Sequence, residues 1–108
     1  MKIENESDTL RISELRDLDE DRVLELSRGI RQALRPEVRV IEFDLSQIRA
    51  IDSNGADMLV AIHDGVNRMG FMPAWRVVNP VPGVRQFLEL VRLHRLFEIL
   101  PARNATAA

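Results

Sequence analysis

The stretch Val38–Leu59, VRVIEFDLSQIRAIDSNGADML, decides how this chain is read. Val38, Val40, Ile41, Phe43 and Leu45 make its first half apolar on nearly both faces, as in a central strand covered by helices. Its second half delivers Asp52-Ser53-Asn54-Gly55 to the start of a helix running from Ser53 to Met69. That order leaves one serine hydroxyl at the positive end of a helix dipole. Two uses fit such a serine. As a cap, its oxygen satisfies a free backbone N–H and contributes about 1 kcal/mol. As a phosphate acceptor, it gains nearly two negative charges where the dipole favours them by roughly 0.3–1 kcal/mol. Asp52 is an alternative cap, or orients the Ser53 hydroxyl. Gly55 is either a residue the first helical turn tolerates or a gap that lets another protein come close.

Working outward, the helix from Ser53 places Leu59, Ile62, Val66 and Met69 on one stripe. Asp64 and Arg68, four residues apart, lie on the solvent side and can pair. Gly70 stops the helix. A strand spans Phe71–Val78, irregular at Pro73. The turn Asn79–Gly83 opens a last helix through His94, with Val84, Phe87, Leu88 and Val91 inward. Leu96–Leu100 is a short closing strand or an apolar tail. Upstream, Thr9–Ser13 alternates with period two and reads as a strand. Leu18–Asp21 resembles a capped helix start, and that helix carries Val23, Leu24, Leu26, Ile30, Ala33 and Leu34 until Pro36 closes it. The alternation of strand and helix predicts an α/β fold: a mostly parallel sheet of four to five strands with helices packed against it. It occupies one domain over residues 1–101, and residues 102–108 read as a disordered tail.

Composition narrows the function. A chain of 108 residues holds one domain, and 45% hydrophobic with 30% charged residues is ordinary for a soluble globular protein. The formal charge is -2 with arginines dispersed among acids, which argues against a nucleic-acid partner or a polybasic membrane anchor. No apolar run approaches the ~18 residues of a membrane span, so no direct membrane insertion is expected. There is no cysteine, hence no disulfide, thiolate metal site or cysteine nucleophile. The first ten residues lack the apolar core of a signal peptide, and the expected location is cytoplasmic. His63 and His94 lack the carboxylate-rich spacing of metal sites and read as structural or surface residues. Trp75 reads as core, and Asp44 as a hydrogen-bonded acid at a strand end. No catalytic triad order, phosphate-cradling glycine loop or paired catalytic carboxylates are visible. The expectation is a protein without catalytic activity, cofactor or metal.

In that order, Ile41–Ser46, Ile51-Asp52-Ser53-Asn54-Gly55, Val78-Asn79-Pro80, Val84–Leu88 and Leu96-Phe97 resemble STAS domains, including the bacterial anti-sigma factor antagonists. The resemblance covers about Asp19 to Leu100, and its most specific part is the Asp-Ser-x-Gly loop. It implies a regulatory protein that acts by partner switching. Ser53 would be phosphorylated by a serine kinase that is itself the anti-sigma factor, and a phosphatase would restore it. Asp52, Asn54 and Gly55 would form the switch loop. The exposed face of the following helix, with Ala56, Asp57, Val60, Ala61 and Asp64, would bind the partner. Asn54, Ala56 and Asp57 differ from the family's usual residues, which keeps a second reading open: an unphosphorylated STAS accessory subunit bound to the ATPase of an ABC-type transport complex.

Overall fold

The computed structural model describes residues 1–101, and the tail expected over 102–108 lies outside them. Strands β1 (Lys2–Glu6) and β2 (Thr9–Ser13) form a hairpin. Then follow α1 (Glu20–Ala33), β3 (Val40–Asp44), α2 (Ser53–Arg68), β4 (Ala74–Val78), α3 (Pro82–Leu90) and β5 (Glu98–Leu100). A 3-10 turn, Leu93–Arg95, precedes β5. The five strands lie side by side in chain order. β2 to β5 are mutually parallel, and β1 runs antiparallel to β2. The mostly parallel α/β sheet is as expected; the added strand is β1, which carries one apolar residue, Ile3.

Burial alternates along the strands. Leu10, Ile12, Ile41, Phe43, Trp75 and Val77 are buried and join Leu26, Ile30, Leu59, Ile62, Val66, Val84 and Leu88 of the helices in one core. Each parallel connection crosses over through a helix, and right-handed crossovers between strands in consecutive order place every helix on the same side. The expectation that β3 is covered on both faces is therefore corrected. Val40, Glu42 and Asp44 sit on the helix-free face, half-buried.

That free face is organised by charge. Strand register aligns Glu4, Arg11, Glu42, Arg76 and Glu98 in one row across all five strands. Arg11 reaches Glu42 at 2.9 Å and Asp44 at 3.1 Å, and Arg76 reaches Glu98 at 3.4 Å. Cross-strand pairs of opposite sign each add roughly 0.2–1 kcal/mol, so the row favours the observed register.

Three residues expected inside are outside. Leu24 is 59% exposed on the flank of α1, whose fully buried stripe is Leu26 and Ile30. Met69 and Val91 are C-caps, already past the last helical turn. α3 ends earlier than expected because Arg92 turns left-handed, at φ 64°. The strand expected from Phe71 starts at Ala74, after Pro73, which has no N–H to donate.

Glycines in the two long helices have opposite roles. A Cβ on Gly29 would collide with Ile3 Cδ1, so α1 lies directly against β1 there. A Cβ on Gly65 would meet no atom within 4 Å. Urea denaturation of Gly65→Ala should show a gain of about 0.5–1 kcal/mol from helix propensity. Gly29→Ala should lose that gain, because Ile3 must leave its place.

Candidate functional site

The site is built where β3 hands the chain to α2. Asp44, the last residue of β3, accepts hydrogen bonds from the Ser46 backbone N–H at 2.9 Å, from Arg11 at 3.1 Å and from Asn79 Nδ2 at 3.5 Å. It fixes the strand exit to its neighbours, as a hydrogen-bonded acid should. Leu45 and Ile48 then bury themselves, and the loop continues to Asp52.

Asp52, in extended conformation, is the N-cap of α2, and its carboxylate accepts from the Gly55 N–H at 2.9 Å. Its carbonyl accepts the Ala56 N–H at 3.0 Å, the first helical bond. Ser53 is thus the first residue inside the helix rather than its cap. It is exposed, and among the described residues its side chain makes no hydrogen bond. The two uses open to the serine are separated here, because the aspartate before it carries the capping.

Gly55 and Ala56 point inward. Gly55 is buried, and a Cβ there would come within 2.9 Å of Ile51 Cγ1, so its bareness serves internal packing. Ala56 is 5% exposed and belongs to the core, so its placement on the docking face is corrected. Helix phase explains this: residues 55, 56, 59, 62 and 66 face the sheet. Asp57, Ala61 and Asp64 are exposed and Val60 is half-buried. With Ser53 and Asn54 they leave a narrow outward stripe of two acids around one alanine. Asp57 lies four residues after Ser53 on that stripe, hence adjacent to it. Asp64 Oδ1 lies 3.0 Å from His63 Nδ1 rather than pairing with Arg68. His63 is held over Trp75 with ring centroids 5.0 Å apart, a structural placement, and Trp75 is 5% exposed.

Sequence reasoning missed the cleft beside this loop. It has a volume of about 1050 Å³ and lies between the segment following β2 and the loop from Ser46 to Asp52. Leu18, Ile48, Ile51 and Met58 give it apolar walls, and its charged residues are Arg16 and Arg49 with Asp17, Asp19, Glu20 and Asp52. Arg16 Nε approaches Gln47 Oε1 at 3.4 Å and links the two loops. Asp19, which caps α1 by accepting the Arg22 N–H at 2.8 Å, and Asp52 both line the cleft. Two capped helix starts therefore open onto one hollow at the carboxyl ends of parallel strands, the position where α/β sheets hold ligands. The only sequence signal was the repeated placement of an aspartate before a helix.

Among the described residues, no group of three or more His, Asp or Glu side chains is placed to hold a metal ion. No helix among them is long and apolar enough to cross a membrane.

Comparison with known proteins follows this geometry closely. The family model of the STAS domain matches residues 3–106. A crystal structure from Thermotoga maritima, of a protein provisionally described as an anti-sigma factor antagonist, superposes with a TM-score of 0.74 at 18% identity. The match covers 98% of this chain and 90% of that one. An NMR structure of the same protein gives 0.73 at 18% identity, covering 97% and 83%. A comparison with curated proteins finds no match.

The division of labour at the helix start is measurable by chemical denaturation. Asp52→Ala should destabilise the protein by about 1 kcal/mol through loss of the cap. Ser53→Ala should stay within about 0.5 kcal/mol of the parent, as at an unengaged surface position.

Proposed function

We propose that this chain, a member of the STAS domain family, is a non-catalytic regulatory protein that acts by partner switching, in the manner of an anti-sigma factor antagonist. Ser53 is the phosphoacceptor for a serine kinase that is also the anti-sigma factor, and a phosphatase reverses the modification. One observation carries this reading: Asp52 takes the capping bond, which leaves the exposed Ser53 hydroxyl free of structural duty. The docking surface is the outward stripe of α2 with Asp57, Val60, Ala61 and Asp64.

Release follows from electrostatics without refolding. A partner seated over Ser53 would have to bury a phosphate dianion, and an unpaired buried charge costs several kcal/mol. The adjacent Asp57 opposes the added charge by a few tenths of a kcal/mol, less than the helix dipole offers. Ser53 therefore accepts phosphate without loss of the fold.

A second reading, a STAS accessory subunit on a transporter ATPase, is favoured by one specific feature. Exposed Asp57 gives the stripe a permanent negative charge beside the serine, which suits constitutive binding. Incubation with ATP and the cognate kinase, followed by intact mass, separates the two. The expected result is a gain of one phosphate that Ser53→Ala abolishes. Labelling elsewhere, or none with any candidate kinase while a transporter ATPase is retained on the immobilised protein, would transfer the function to the second reading.

A further inference from the structure

The sequence scatters its arginines, but the fold gathers four of them at the end of the molecule opposite Ser53. Helices α1 and α2 both return the chain between parallel strands and so end at the same pole. They bring Arg31 and Arg68, and the segment after α1 brings Arg35 and Arg39. All four are exposed, and none makes an ion pair among the described residues. Apolar surface lies among them: Met72 is 83% exposed, Met69 45%, and Phe71 is half-buried. Phe71 and Met72, with Pro36, Val38 and Arg39, wall an open pocket of about 540 Å³. Met69 and Arg31 border the adjoining groove between α1 and α2. Acids at this pole include Glu37, Glu89 near the end of α3 and, in the β1–β2 hairpin, Glu6 and Asp8; the Asp8 carbonyl accepts the Arg39 N–H at 2.8 Å. None of these carboxylates lines the pocket, whose one charged residue is Arg39.

We propose that this pole is a second docking surface, for an acidic, apolar segment of a partner protein. An aliphatic or aromatic side chain of that segment enters the pocket, and its carboxylates face Arg39 and the neighbouring guanidiniums. Shape selects a protein over a lipid surface, because a hollow takes a protruding side chain and a bilayer presents none. Charge selects acids, and methionine suits a surface that must adapt to its occupant. The sixteen residues of α2 separate the pole from Ser53 by about 24 Å. Occupancy here is therefore independent of the proposed switch, and both surfaces can be filled at once.

Fluorescence anisotropy with a labelled synthetic peptide of glutamate and leucine, and a lysine–leucine counterpart, tests this on the full chain. The acidic peptide should bind, and several-fold more weakly as salt rises. Arg39→Glu and Met72→Asp, both at exposed positions, should each weaken binding about tenfold. Arg85→Glu, exposed near the start of α3 and so at the opposite pole, should leave it unchanged. Absence of binding, equal binding of the lysine–leucine peptide, or full affinity in both variants would overturn the proposal. Partition of the chain into phosphatidylglycerol vesicles without peptide binding would also overturn it, and would assign the pole to lipid.

Discussion

The handedness of the crossovers is the constraint from which the rest of the molecule follows. Strands β2 to β5 lie in chain order and parallel, so every connection must climb over the sheet and turn the same way. All three helices then share one face, and all three begin at the same pole. The sheet buries one side only, through Leu10, Ile12, Ile41, Phe43, Trp75 and Val77. Its other side must be made compatible with water. The fold thus separates three surfaces: a pole of helix starts, a pole of helix ends and an open sheet face.

The proposed function concentrates at the first pole for physical reasons. Helix starts leave backbone N–H groups unpaired, and these must be satisfied by side chains or by visitors. Here aspartates do the satisfying, at Asp19 and Asp52. What remains exposed and unengaged is the residue just inside, Ser53, which has the dipole behind it. The neighbouring cleft, whose lining mixes apolar walls with two arginines and four acids, adjoins the stripe of α2.

Much of this was legible in the residues. A period-two run marked β2, a nearly continuous apolar run marked β3, helical stripes marked α1 to α3, and the Asp-Ser-x-Gly loop marked the proposed site. β1 was not legible because KIENE offers one inward side chain, Ile3, whose place is set by Gly29 some 26 residues later. The choice of cap was not legible either. Asp52 and Ser53 are both good capping residues, and only the phase at which the helix begins decides between them. The same phase sent Gly55 and Ala56 inward. The basic pole escaped notice because Arg39 and Arg68 come to the same end of the molecule only after α2 has run its length.

The open sheet face has a consequence for company. Its row reads Glu4, Arg11, Glu42, Arg76, Glu98, a palindrome of sign centred on β3. Lay a twin upon it about an in-plane dyad that passes through β3, and carboxylate confronts carboxylate while guanidinium confronts guanidinium. In that centred register two copies set like charge against like on every strand.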